Sequence, residues 1–442
     1  MSDEQKIHFL RNNLPKLILQ TSHSNDELLS VEFTTPDQLD GFMSTIHKLD
    51  LLVRNTKSGE ERPINLMVKV MKGDDTFRTE CLSKIQFSNE IVIYTKVLPC
   101  FQKLLQTTKC SVTGDNWCPK VLYGTAGHIP EYSDQFETIL VMENMTIDGF
   151  TSGPRNDLDE EHLTLMARKI AQFHACSYAL KITNDKQLAE LEDELAPLNF
   201  IKGEQVFESY AIVFKRGLER VFKYIDEHPE SLDNEKFKKD IANLRDKYSD
   251  EPIRLMQKFL KRDEYSIILH GDYNRNNVLF KYEDGKPVDI RMFDFQEHRY
   301  GTPAIDLFFF MCMSMPTGLR ERFWSSLLKE YYDSLMSTLT DILKCRESDK
   351  RLKPFQYDRF MEHLNRFALY GGMVAAHFLP WMLGSEEECR QLSYHFMKDA
   401  SSAEMKRLTM VCGGEVVDRR LIEMLRHLSQ IGCFSIVDED EN

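Results

Sequence analysis

The stretch His270-Gly271-Asp272-Tyr273-Asn274-Arg275-Asn276-Asn277 sets the reading of this chain, together with Asp294 in Arg291-Met292-Phe293-Asp294-Phe295, seventeen residues past Asn277. The pattern is H-x-D-x-x-x-x-N followed by an apolar strand that ends in D-F. Phosphoryl transfer from ATP gives that spacing a chemical reason. Asp272 must face the hydroxyl that attacks the γ-phosphate. The Asn277 amide oxygen must fold back onto the same face and hold Mg²⁺, and Asp294 must hold the metal that bridges the phosphates. Ser266-Ile267-Ile268-Leu269 leads into the loop as a short apolar run. Asn277–Lys281 and Val288–Phe293 flank Glu283-Asp284-Gly285-Lys286, and Asp-Gly between two such runs is a hairpin signal. Asn277 therefore opens one strand and Asp294 closes the next, at one end of a small ribbon.

Working outward, the same chemistry needs a lysine on an early strand for the α/β-phosphates and a glutamate on the next helix to orient it. Lys69 stands in Met67-Val68-Lys69-Val70, where a charge is unexpected unless its head group reaches a cleft. Lys72 competes, but it follows the strand. Glu90 is the helix partner, flanked by Phe87 and Tyr94 on the core face, with Glu80 as the alternative on a more polar turn. Gly41 and Ser44, in Asp40-Gly41-Phe42-Met43-Ser44, are the candidates for a loop whose N–H groups cover the phosphates. The backbones of Glu143 and Met145, in Leu140–Met145, are offered to adenine. Asp306 precedes the most apolar helix and is either its N-terminal cap or an anchor for the catalytic loop. His270 reads as a loop-orienting residue and His174 as a core histidine with a hydrogen-bond partner.

Composition bounds the partners. The chain has 442 residues, 42% hydrophobic and 29% charged, enough for a large core and two domains. Lys+Arg 56 against Asp+Glu 70 leaves a net charge of -14, which argues against nucleic acid as the main partner. The opening Met1–Lys6 is too polar for a signal peptide, and Leu307–Met313 is too short for a membrane span. The ten cysteines form no CxxC and no zinc spacing, so reduced thiols in a cytoplasmic protein are expected.

Periodicity divides the chain. Residues 1–29 read as a polar lead-in with one amphipathic helix at 14–19. Residues 30–145 read as an N-lobe of strands (45–53, 64–71, 121–123, 138–142) with one helix over 77–106. Residues 146–432 read as a C-lobe, helical at 163–174, 204–228, 234–261 and 302–432 around the catalytic hairpin. Residues 433–442 form an acidic tail. The expected class is α+β, a bilobal protein-kinase-like fold with a small β-rich N-lobe and a larger, mostly helical C-lobe.

At these residues the chain resembles the ecdysteroid kinase-like (CHK kinase-like) family, within the aminoglycoside phosphotransferase and choline kinase group of protein-kinase-like folds. The resemblance rests on His270-Gly271-Asp272 with Asn276-Asn277, and on Asp294-Phe295-Gln296. It also rests on Tyr300–Leu307, Leu140–Met145 and Phe173–Ser177. It implies an ATP- and Mg²⁺-dependent small-molecule kinase, with ecdysteroid alcohols as the best-known substrates. By motif matching it makes Asp272 the base, Asn277 and Asp294 the metal ligands and Lys69 the phosphate contact. Two departures stand out. Family members often carry Trp where this chain has Asn274, and Asn-Tyr where it has Gly41-Phe42.

The leading expectation is transfer of the γ-phosphate to a hydroxyl of a small lipophilic molecule, steroid-like by preference. An amino-alcohol acceptor such as choline would need carboxylates and aromatics around a cation. Trp324, Tyr331, Tyr332, Tyr357, Tyr370 and Trp381 are the aromatics available for it. A non-catalytic binding module is the alternative of a different class, and retention of Lys69, Asp272, Asn277 and Asp294 argues against it.

Overall fold

Alternation builds the first layer. In the computed structural model, which describes residues 3–36, 43–114, 117–155, 157–196, 198–399 and 401–439, five strands form an antiparallel sheet: β1 (Asp26–Thr34), β2 (Ser44–Asn55), β3 (Glu61–Met71), β4 (Val121–Ile129) and β5 (Ser133–Glu143). Their order is β1-β2-β3-β5-β4. Successive side chains point to opposite faces. Leu49, Leu51, Val53, Leu66, Val68, Ile139 and Val141 therefore share one buried face, while Lys69 and its cross-strand partner Leu140 turn to the other. Pro63, which has no N–H to give, sits where β3 pairs with β2 beyond the end of its pairing with β5.

The residues expected as a lead-in belong to this layer. Helices Asp3–Asn12 and Leu14–Ser22 put Phe9, Leu10, Leu14 and Ile18 into the same cluster as the sheet face. The helix expected over 77–106 is broken. Asp74 caps Asp75–Glu80 by accepting from Phe77 N–H at 2.9 Å. Leu82 then takes φ 59°, and helix resumes at Ser83–Val92. A wide π turn over Ile93–Val97 precedes Leu98–Thr108. Pro99 lacks the N–H that would continue the ladder, and a locally widened turn accommodates it. Phe87, Glu90, Ile91 and Tyr94 stay buried on the stripe the periodicity assigned.

The second layer is helical, with two small ribbons set in it. Helix Glu160–Thr183 runs through the centre, capped by Asp159, which accepts from His162 N–H at 3.0 Å. The stretch expected over 234–261 forms two helices, Glu235–Tyr248 and Ile253–Phe259, because Pro252 stands between them. Ala304–Ser314 is buried along its whole length and packs on Leu369–Leu383, where a side chain at Gly371 would meet the Phe308 carbonyl at 2.2 Å. After the short β6 (Phe150–Ser152) and β7 (Ile267–Ile268) come β8 (Val278–Glu283), β9 (Lys286–Met292) and β10 (Tyr300–Gly301). β8 and β9 form the expected hairpin, with Asp284 at φ 48° and Gly285 at φ 76°, as a type I′ turn requires. β10 pairs with β7. Apolar residues of the N-lobe helix, Ile91, Tyr94, Val97 and Leu98, join the helical core rather than the sheet's cluster, so that helix is packed as part of the second layer. Among the described residues no helix is long and apolar enough to cross a membrane.

Burial in this core has a pH consequence. Burial, with Arg299 close by, drops His298 to about 3, and burial beside Arg216 does the same to His377. An unfolded histidine titrates near about 6.5, so between these values the unfolded chain binds the extra proton. Stability present above pH about 6.5 is therefore lost as the pH falls, by about 1.4 kcal/mol per residue at pH about 5.5. Urea unfolding at pH about 7.5 and 5.5 should show this loss, and His377→Phe should reduce the difference by about 1.4 kcal/mol. An unchanged difference in the variant rules His377 out as a contributor.

Candidate active site

Four segments converge at the open end of the β8–β9 hairpin. β3 brings Lys69, the helix Ser83–Val92 brings Glu90, the loop before β8 brings Asp272 and Asn277, and the end of β9 leads into Asp294. The Phe293 N–H bonds to the Asn277 carbonyl at 3.0 Å, which fixes the two loop ends side by side.

The Lys69 ammonium lies 2.8 Å from Glu90 Oε2 and 2.9 Å from Asp294 Oδ1. It also lies over the Phe87 ring, 4.9 Å from its centroid. Burial alone would lower the lysine's pKa, but the Asp294 and Glu90 carboxylates outweigh it and hold the value above the usual range. Burial pushes Glu90 up against the pull of Lys69. Asp294 has φ 65°, an uncommon conformation for a residue with a side chain. Strain of this kind is held in place by its surroundings and concentrates at functional sites. Of the two candidate lysines it is Lys69 that joins these carboxylates, and Lys72 lies past the end of β3. The side chain of Glu80 lies outside the described residues.

Asp272 is held on both oxygens. Asn277 Nδ2 donates to Oδ2 at 2.7 Å and to the Asp272 carbonyl at 2.9 Å. Asn274 Nδ2 donates to Oδ1 at 2.8 Å, while its own oxygen caps the Arg275–Asn277 turn through Asn276 N–H at 2.9 Å. Asn274 thus supplies one of the two amides that orient this carboxylate. Burial, Asp294 and Glu297 together push Asp272 well above the ordinary carboxylate range, against the two amide hydrogen bonds.

The loop that carries Asp272 hangs on Asp306. Its Oδ2 accepts from His270 N–H at 2.8 Å and its Oδ1 from Gly271 N–H at 2.8 Å. His174 Nε2 lies 3.0 Å from Oδ2, and the other ring nitrogen is 2.8 Å from the Tyr331 hydroxyl. Asp306 is therefore the anchor, not the helix cap, whose position Pro303 occupies. Burial would raise Asp306, yet the hydrogen bonds from His174 and His270 hold it below the carboxylate range. His270 is buried, its pKa lowered by that burial, and its Nε2 lies 3.1 Å from the Phe293 carbonyl. It ties the loop to the segment of Asp294. Gly271, at φ 87°, lies so close to the next segment that a Cβ there would meet the Glu297 carbonyl at 1.7 Å.

Other expected positions fare differently. Gly41 lies outside the described residues. Ser44 opens β2, buried and paired with Met71, and is a strand residue rather than part of a loop. The Glu143 N–H, one of the groups expected to face adenine, is taken by the Lys120 carbonyl at 3.0 Å. The Met145 carbonyl accepts from Asp148 and Phe150, each at 3.2 Å, and its N–H makes no backbone bond among the described residues. Most of the aromatics considered for a cation cage are dispersed, while Tyr370 lies close to Arg299 and Glu297. Trp324 stacks on Phe308, Tyr331 serves His174, Tyr332 meets Tyr357, and Trp381 packs on Phe396.

Sequence reasoning missed Glu297, Tyr210 and Gln86. Glu297 accepts from the Tyr210 hydroxyl at 2.8 Å, from Gln86 Nε2, and from Arg299 at 3.2 Å. The run Gln296-Glu297-His298-Arg299, four polar or charged residues between Phe295 and Tyr300, was the available signal. A cavity of about 310 Å³ adjoins this segment, walled by Glu192, Leu195, Arg262, Ile268 and Tyr300 among others; none of Lys69, Glu90, Asp272, Asn277 and Asp294 lines it.

Among the described residues no three His, Cys, Asp or Glu side chains gather as a preformed metal site. The donors present still fit Mg²⁺. The Asn277 amide nitrogen is engaged by Asp272, which turns its oxygen away, and Lys69 takes only one oxygen of Asp294. Mg²⁺ is typically held by one or two protein oxygens, with phosphates and water completing its shell.

Comparison with solved structures finds distant similarities. The GDP complex of wild-type aminoglycoside 2'-phosphotransferase-IIIa aligns at 11% identity and a TM-score of 0.37, over 95% of this chain and 99% of that one. The GDP and kanamycin complex of APH(2")-IIia aligns at 10% identity and a TM-score of 0.37, over 88% and 97%. No curated protein matches. The model of the Ecdysteroid kinase-like family matches residues 38–344, more than two-thirds of the chain and the whole span from Lys69 to Asp306. The chain belongs to the Ecdysteroid kinase-like family.

Proposed function

We propose that this protein is an ATP-dependent small-molecule kinase that transfers the γ-phosphate to a hydroxyl of a lipophilic alcohol, with an ecdysteroid or other steroid as the favoured acceptor. The observation that carries the reading is the convergence of Lys69, Glu90 and Asp294 at the hairpin end where Asn277 holds Asp272. Lys69, oriented by Glu90, contacts the phosphates. Asn277 and Asp294 supply the oxygens for Mg²⁺, which when bound neutralises phosphate charge. The acceptor oxygen forms its bond to the γ-phosphorus as the bond to the β-bridging oxygen breaks, and Asp272 takes the hydroxyl proton. A raised pKa suits that base, since proton transfer is most efficient when the carboxylate's affinity approaches the working pH.

The acceptor's charge is argued from what faces Asp272. An amino-alcohol calls for an uncompensated carboxylate within an aromatic cage. Glu297, the carboxylate beside Asp272 other than Asp294, is neutralised by Arg299, so the aromatic rings near it do not enclose an uncompensated carboxylate. This supports a neutral alcohol over a choline-type substrate.

The test couples turnover to nucleotide binding. Wild-type protein should consume ATP with a steroid-alcohol panel and be stabilised by Mg·ATP in thermal melts. Asp294→Ala should lose both responses while its melting temperature without nucleotide stays within a few degrees. Equal Mg·ATP stabilisation in the variant sinks the metal assignment. Intact Mg·ATP binding with no turnover on any hydroxyl compound sinks the enzyme reading in favour of a binding module.

A further inference from the structure

The kinase reading places a base at Asp272 but leaves the acceptor's seat unassigned. The segment after Asp294 folds back against the catalytic loop, and Gly271 is packed directly on the Glu297 backbone. The Glu297 side chain then joins elements from both layers. Gln86 reaches it from the helix that carries Glu90, and Tyr210 reaches it from helix Gln205–Glu227. The two donors share Oε1, whereas among the described residues Oε2 receives Arg299 alone, at 3.2 Å. A carboxylate oxygen can accept two hydrogen bonds, so one acceptor position on Oε2 is left over. The Tyr210 hydroxyl, having donated its proton to Glu297, also keeps a lone pair.

The surroundings are apolar and aromatic. The Tyr210 ring stands 5.3 Å from Phe200 and is stacked at 5.9 Å on Phe214, and Arg299 lies 5.2 Å over Phe200. A half-buried tyrosine hydroxyl and a charge-balanced glutamate at the end of an aromatic wall make a site for a polar group on an otherwise apolar molecule. Glu297 is near enough to Asp272 to help raise its pKa, and burial raises Glu297 as well.

We propose that Tyr210 and Glu297 form the acceptor-recognition subsite: they take a second hydroxyl of the alcohol while Asp272 takes the reacting one. This rests on the kinase reading above. The acceptor is then a neutral diol or polyol with an apolar body. Gln86 connects the subsite to the helix of Glu90, so acceptor and nucleotide sites share one rigid element.

The experiment is steady-state kinetics with a steroid diol and with the same steroid lacking the non-reacting hydroxyl, in wild type, Tyr210→Phe and Glu297→Gln. One hydrogen bond to a charged network is worth a factor of about ten or more in binding. Wild type should prefer the diol by at least about tenfold in kcat/KM. Tyr210→Phe, which removes a single oxygen, should raise the diol KM by about that factor and erase the preference, with the KM for ATP unmoved. Glu297→Gln should do the same. Thermal melts of each variant verify that it is folded. An active wild type whose Tyr210→Phe variant keeps both the diol KM and the preference overturns this inference and leaves the kinase reading intact. A KM for ATP that rises as much as the diol KM also overturns it, because the cluster would then be holding the two layers together. A wild type that phosphorylates no alcohol overturns the kinase reading, and this inference with it.

Discussion

Asp272→Asn is expected to bind Mg·ATP about as tightly as the wild type while its turnover falls about 10²–10⁴-fold, the usual cost of losing a general base. The substitution keeps size and planarity. It removes one acceptor oxygen, so Asn274 or Asn277 must give up a bond now made at 2.8 or 2.7 Å, but it leaves Lys69, Glu90 and Asp294 untouched. Titration calorimetry with Mg·ATP beside a turnover assay separates binding from chemistry. If turnover in the variant stays within a few-fold of wild type, Asp272 does not take the proton. If nucleotide affinity collapses together with turnover, Asp272 belongs to the metal site instead.

Asp306→Ala should be the most destabilising single change near the site, about 3–5 kcal/mol in urea unfolding. Asp306 is fully buried and carries three hydrogen bonds, from His270 N–H, Gly271 N–H and His174. Alanine leaves two backbone donors and an imidazole stranded in a core that water does not reach, and each unsatisfied buried group costs about 1–3 kcal/mol. The catalytic loop loses its anchor at the same time, so the folded fraction should lose activity as well. Asp306→Asn retains one carbonyl oxygen and should cost less. A loss below about 1 kcal/mol in the alanine variant would mean that the loop is held by His270 and Asn277 without Asp306.

The comparison of these two aspartates explains what could be read from the amino acids alone. Asp272, Asn277 and Asp294 are legible because the chemistry constrains them at short range. A loop and one hairpin carry all three, so their spacing along the chain is nearly their spacing in space. Lys69 and Glu90 are legible one step less directly, as charges in apolar strand and helix contexts where burial is too costly without a partner. The strand-rich first part and helical remainder follow from hydrophobic period, which is local as well. The helix breaks at Leu82 and near Pro252 depart from a simple periodic reading because backbone chemistry at single residues overrides an otherwise continuous apolar stripe.

Long-range packing decided the rest. Asp306 lies 34 residues from Asp272 in the chain, and whether it capped a helix or held the loop depended on where His270 and His174 came to rest. The helices of residues 3–22 look like a polar preface until the sheet supplies an apolar face for Phe9, Leu10, Leu14 and Ile18 to cover. Tyr210, Glu297 and Gln86 come from three separate elements and carry no common spacing, so only their meeting in the folded chain marks them. Residue types and local spacing thus singled out the candidate reacting groups. The tertiary structure decided how those groups are held and which side chains lie beside them, because anchors and pockets are assembled from residues whose separation along the chain carries no information about their distance in space.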